Sequence, residues 1–145
     1  LNRLSEWCGT IEPSFAGSLG RLIEWSELPP EEAVAFISRA GLEPDLIDGW
    51  QGISPFVTAS VLWSIYSFLR TPEDYWGTIC TAIGVGGDVD TTAAMAGAIS
   101  GAHLGLEAIP RRLVHCLTDQ GTWGFEELVQ LAVKCYEIKI GQGHS

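Results

Sequence analysis

The 145-residue chain is short of positive charge: eight Lys and Arg stand against eighteen Asp and Glu, a formal net charge of −10. That deficit excludes a protein that grips nucleic acid by neutralising its phosphates. It leaves room for a single anionic ligand, which metal ions or helix N-termini can attract locally. Four cysteines, Cys8, Cys80, Cys116 and Cys135, form no C-x-x-C pair, which argues against a zinc site or a thioredoxin-like motif, and reduced core thiols in a cytoplasmic protein are expected. His103 and His115 lack a His or Cys partner at metal spacing and read as packing or surface residues. Long apolar runs are missing too. The uncharged stretch after Asp90 ends at Glu107, contains His103 and falls short of the ~20 apolar residues of a membrane span, and Leu1 to Glu12 has no signal-peptide core. Gly84-Val85-Gly86-Gly87 is not followed by G-K-[ST], so it is no phosphate-cradling P-loop, and no repeat or low-complexity tract appears.

What is present is concentrated in residues 86 to 105. Gly86-Gly87 leads into Asp88, Asp90 and Thr91, which bring two carboxylates and a hydroxyl to the mouth of a helix with no basic residue nearby in sequence. One Asp or Thr at such a place is an ordinary N-cap, favoured by the free N–H groups and by the helix dipole. Only one residue can be the N-cap, however, so the second carboxylate has no capping task, and the two glycines permit positive φ and close approach. Closely set hard oxygen donors suit Mg²⁺, Mn²⁺ or Ca²⁺. Behind them Ala93, Gly97, Gly101 and Gly105 stand four apart, with Ala94, Ala98 and Ala102 alongside. Side chains at i and i+4 share a face, so the pattern predicts a buried central helix that a neighbour approaches closely, offsetting the ~1 kcal/mol that each interior Gly costs.

The run G-G-D-V-D-T-T-A-A-M-A-G-A-I-S-G-A-H-L-G, followed by Ile109-Pro110, resembles the C-terminal signature of the ADP-ribosylglycohydrolase family. The resemblance implies an all-α fold, an orthogonal multi-helix bundle, with two Mg²⁺ or Mn²⁺ ions at the base of a cleft. The family's acids and threonine fall on Asp88, Asp90 and Thr91. It implies also that residues 1–145 are the C-terminal part of one such domain, and that an N-terminal half bearing a T-D-D-T cluster supplies the second ligand set and the general acid. Thr118-Asp119-Gln120, with one carboxylate, offers no substitute. The expected reaction is metal-dependent hydrolysis of an N- or O-linked ADP-ribosyl bond, with the ions gripping the distal ribose, and the expected partners are an ADP-ribosylated substrate or ADP-ribose. No nucleic acid or membrane partner is expected. The alternatives are a module that binds ADP-ribose without turnover, and a structural helical domain whose acids only cap.

The rest of the chain reads as scaffold. Helices are predicted over Leu1 to Cys8, Leu19 to Trp25 after a loop from Ile11 to Gly17, and Pro30 to Gly41 with Ala33, Phe36, Ile37 and Ala40 inward. Asp45 and Asp48 read as solvated connecting residues. Gly49 to Phe56, with two glycines, a proline and two aromatics, reads as the wall of a cleft; the family resemblance implies that a loop of this kind lies beside the adenosine end of the ligand, which makes Phe56 the candidate for contact with the adenine. Ser54-Pro55 is expected to cap a helix to Arg70, with Val57, Val61, Leu62, Ile65, Phe68 and Leu69 buried. Thr71-Pro72-Glu73-Asp74 is expected to cap one to Ile83, with Tyr75, Ile79, Ala82 and Ile83 buried. Ile109 to Leu117 and Phe125 to Ile140 follow, the latter with Leu128, Val129, Ala132, Val133 and Tyr136 on one side, and Gly141 to Ser145 is expected to fray.

Overall fold

Proline or acid opens most of the helices and glycine closes three of them, and the computed structural model, which describes residues 1–41 and 50–142, is all-α. Among the described residues its helices are α1 (Asn2–Gly9), α2 (Pro13–Trp25), α3 (Pro30–Ile37), α4 (Val57–Arg70), α5 (Tyr75–Gly84), α6 (Val89–Leu104), α7 (Arg111–Val114) and α8 (Phe125–Gln142), with a 3₁₀ turn at Leu106–Ala108. Among the described residues there is no strand, only an isolated bridge between Ile53 and Gly87. Asp45, Asp48 and Gly49 lie outside the described residues. Internal contacts divide the chain into two units, Leu1–Ala108 and Ile109–Ser145.

The first unit is organised on α4. Leu62, Trp63 and Tyr66 are fully buried with Leu19, Leu22 and Trp25 of α2, Ala33 and Ile37 of α3, and Ile53. Polar tips inside this core find carbonyls, as burial demands. The Trp63 indole N–H donates to Ala82 O of α5 at 3.0 Å, the Ser64 hydroxyl to Thr92 O of α6 at 3.2 Å, and the Tyr66 hydroxyl to Leu28 O at 2.7 Å. These three bonds pin α4 to the elements on either side of it. On the small-residue face of α6, a Cβ at Gly97 would lie 3.1 Å from both Ile79 Cδ1 and the Tyr75 hydroxyl of α5, so the glycine is what lets the two helices meet.

Several local expectations are corrected. Residues 13–18 are helical, because Glu12 caps α2: its carboxylate accepts from Ser14 N at 3.2 Å and Pro13 fills the first turn. The N-cap of α4 is Phe56, not Ser54, and Asp74, not Thr71, caps α5. Val57, Ile83 and Phe36 are exposed, and the buried surface of α4 instead includes Ser60, Ser64 and Ser67, whose hydroxyls return to main-chain carbonyls. On α6 the alanines at 94, 98 and 102 are exposed, and the buried positions are Thr92, Ala96, Gly97 and Ser100.

In the second unit α7 is a single turn, shorter than expected, and α8 runs on through Gly141. Gly124 N donates to Glu127 Oε2 at 3.0 Å, closing the first turn of α8. The apolar residues of α8 are not buried: Leu128, Leu131, Val133, Tyr136, Ile138 and Ile140 are all exposed.

Candidate metal centre

The acidic turn is built by two glycines meeting backbone to backbone. Gly52 and Gly87 have φ of +77° and +92°, and a Cβ on either would collide with main-chain atoms of the other segment, the Gly86 carbonyl in one case and Ile53 in the other. With nothing in the way, Ile53 N donates to Gly86 O at 3.2 Å and Asp88 N donates to Ile53 O at 2.7 Å. Ile53 is completely buried, so the loop that leads into α4 is anchored and carries the turn with it. The loop before α4 and the acidic segment, 34 residues apart at Ile53 and Gly87, are thereby one substructure.

Asp88 is the N-cap of α6 by position, with φ −79° and ψ 65°, yet its side chain makes no capping hydrogen bond. Its backbone is held at both ends: the N–H by Ile53, and the carbonyl by Thr92, whose N and hydroxyl donate at 3.1 and 3.0 Å. Asp90 lies in the first helical turn. The Asp88 carboxyl shares a hydrogen bond with it and holds its carboxyl below the usual aspartate range, and the N–H groups of Asp90 and Thr91 at the helix N-terminus act in the same direction. The two acids are thus side by side. Neither forms an ion pair with a described residue. Thr91 is exposed beside them.

Among the described residues no group of three or more His, Cys, Asp or Glu converges on a possible metal position. The donor set present fits part of a hard-cation site: two adjacent carboxyls, one of them uncommitted to the helix, and an exposed threonine hydroxyl. Phe56 precedes α4 three residues beyond Ile53, partly exposed at 37%, and so is not a core anchor; Trp50, earlier on the same loop, is also exposed. His103 is a surface residue, edge-on to Phe68 at 5.4 Å and 3.6 Å from Glu73 Oε1. His115 is exposed at the end of α7.

Sequence reading missed Thr92 and Ile53. Thr92 is 1% exposed and its hydroxyl also faces Ala82 O at 3.4 Å, so it fastens the start of α6 to the end of α5. The period linking positions 92, 96 and 100 marks that face. Nothing in the sequence marks Ile53 apart from the glycine before it.

An all-α scaffold that brings paired aspartates to a helix mouth at a double-glycine turn defines the class: the chain belongs to the ADP-ribosylglycohydrolase family, whose model matches residues 1–144. Among individual proteins it is similar to ADP-ribosylhydrolase ARH3 of Bos taurus, 32% identical over 130 residues, which is 83% of this chain and 30% of that protein. It is 38% identical to ADP-ribosylhydrolase ARH3 of Gallus gallus over 140 residues (88% and 33%), and 52% identical to that of Danio rerio over 71 residues (46% and 18%). The chain spans about a third of the length of the first two of these relatives. No solved structure matches it.

Proposed function

We propose that this chain contributes one ligand set, Asp88, Asp90 and Thr91, to a pair of Mg²⁺ or Mn²⁺ ions in a hydrolase of ADP-ribosyl glycosidic bonds, with the second ligand set and the general acid outside it. The supporting observation is the pair of adjacent carboxyls, unpaired with any cation among the described residues, one of which has its backbone tied down while its side chain is left out of the cap. Two such acids so close repel each other unless a proton or a cation lies between them. When bound, the ions supply Lewis-acid polarisation of the ribose oxygens. The protein's part is to hold those donors without reorganisation as the anomeric carbon gains positive charge. Gly52, Ile53 and Gly87 do this through the backbone, and Thr92 does it from the core side. Phe56 offers an exposed ring on the same loop to the adenine of an ADP-ribosylated substrate or of ADP-ribose. The thiols of Cys8, Cys80, Cys116 and Cys135 are free, as fits a cytoplasmic protein, but they are not the core residues expected from the sequence: Cys8 is half-buried and the other three are exposed.

The test uses the full-length protein: release of ADP-ribose from serine- and arginine-linked ADP-ribosyl peptides with Mg²⁺, with Mn²⁺ and with chelator, beside calorimetry of metal binding. Asp90→Ala should abolish metal binding and release together. Release that survives both the substitution and the chelator would sink the proposal, whereas metal and nucleotide binding without release would point to a non-catalytic module.

A further inference from the structure

A groove of about 370 Å³ lies between α2 and α3, lined by Ser18, Arg21, Trp25, Ala35, Phe36, Arg39 and Ala40. In a chain with ten more acids than bases, it gathers two of the eight basic residues and no carboxylate. Arg21 places its guanidinium 4.8 Å from the centre of the Trp25 ring, and Trp25 stacks on Phe36 with ring centroids 6.2 Å apart and planes 12° from parallel. Trp25 is buried and carries the stack, while Phe36 is 48% exposed. Neither arginine forms an ion pair with a described residue. Both are exposed, so their donors are accessible from solvent.

We infer that this groove is a binding site for a nucleoside phosphate, with Arg21 and Arg39 on the phosphate and the exposed face of Phe36 against the base. Each part of the ligand has its match. Guanidinium forks suit phosphate oxygens, and in an acidic protein a local pair of uncompensated arginines is where an anion is drawn. The aromatic stack gives a flat apolar surface that a free phosphate could not use and a planar base can. The volume falls within the range of small-ligand pockets and suits a mononucleotide better than a length of acidic peptide. The site uses none of the residues of the acidic turn and stands apart from the metal-centre proposal.

The experiment measures ADP, inorganic pyrophosphate and a short polyglutamate peptide against the full-length protein by calorimetry, in chelator so that no divalent ion contributes. ADP should bind with the tighter Kd, and Arg21→Ala and Arg39→Ala should each weaken both ADP and pyrophosphate about ten-fold, the worth of one charge-assisted contact. Phe36→Ala should weaken ADP and leave pyrophosphate unchanged. All three positions are exposed, and an unchanged melting temperature in Arg39→Gln keeps the result independent of folding. ADP binding that is absent, or equal in wild type and both arginine variants, overturns the inference. So does pyrophosphate binding as tightly as ADP, which would make this a site for phosphate alone, and so does polyglutamate displacing ADP at equal concentration.

Discussion

Two aspartates of this chain occupy the same place in consecutive helices and do different things. Asp74 starts α5 with an extended backbone, φ −129° and ψ 101°, and its Oδ1 accepts from Gly77 N at 3.0 Å. Asp88 starts α6, but its backbone N–H is committed to Ile53, its φ and ψ have moved to −79° and 65°, and its carboxyl turns to Asp90 instead of to the helix. The first is a cap in the ordinary sense. The second shows how a fold withholds a side chain from the helix cap: it fixes the main chain from outside the helix, so that the carboxyl no longer falls over the free N–H groups. The agent is the glycine pair at 52 and 87, without which the Ile53 backbone could not come near enough.

The contrast can be broken in order of expected effect. Asp88→Asn and Asp90→Ala should each lower ADP-ribose release by the full-length protein on the order of 100-fold or more, the loss expected when metal-ion charge stabilisation goes. For Asp88→Asn stability should move by no more than about 0.5 kcal/mol, as for a surface change that removes no cap, whereas Asp90→Ala, which gives up the helix N–H groups its carboxyl accepts from, should cost up to about 1 kcal/mol; urea titration of the same variants checks it. Gly87→Ala attacks the device itself, since φ is +92° and the new methyl meets the Ile53 backbone. It should cost roughly 2–3 kcal/mol by chemical denaturation and reduce activity with it, from backbone strain of that kind. Asp74→Ala should cost about 1 kcal/mol, a typical N-cap loss, and leave turnover unchanged. A drop in turnover as large as that of Asp88→Asn would erase the distinction between the two aspartates.

Glu12 gives the smallest effect and a pH signature. Its carboxylate lies below the usual glutamate range because the Ser14 hydroxyl and N–H donate to it. A group whose folded pKa is depressed adds stability above its unfolded pKa and loses that contribution as pH falls through the folded one. The acid limb of the melting-temperature profile should therefore flatten slightly in Glu12→Gln, with the two proteins converging at the low-pH end.

How much of this the residues announced depended on the kind of signal. Helix starts with their own chemistry, such as Pro30 followed by two glutamates, were legible, as was the small-residue contact of Gly97. Asp74 was legible as part of a helix start but was assigned the wrong partner role, because T-x-x-D spacing fits a cap at either end of the motif. Burial was legible where one helix face meets the core and illegible on α4, which is surrounded: Ser60, Ser64 and Ser67 look polar in a list, and only the carbonyls they reach make them interior residues. On α8 the same periodicity predicted a buried face, and the structure leaves it exposed, because a pattern records what a helix could cover and not what covers it. The acids and glycines of the acidic turn were evident from the order of residues 86 to 91, whereas Ile53 was not, since a bridge formed by main-chain atoms leaves no trace in side-chain identity.

The Trp63 indole has one further consequence. Its N–H is fully enclosed and bound to the α5 carbonyl of Ala82, while the next residue, Ser64, holds the first turn of α6. A proton there can trade with solvent only when α4 separates from α5, an event that also frees one flank of the acidic turn. Of the six tryptophans, this one therefore works as an internal clock for the opening of the turn, read by the isotope exchange of its indole N–H.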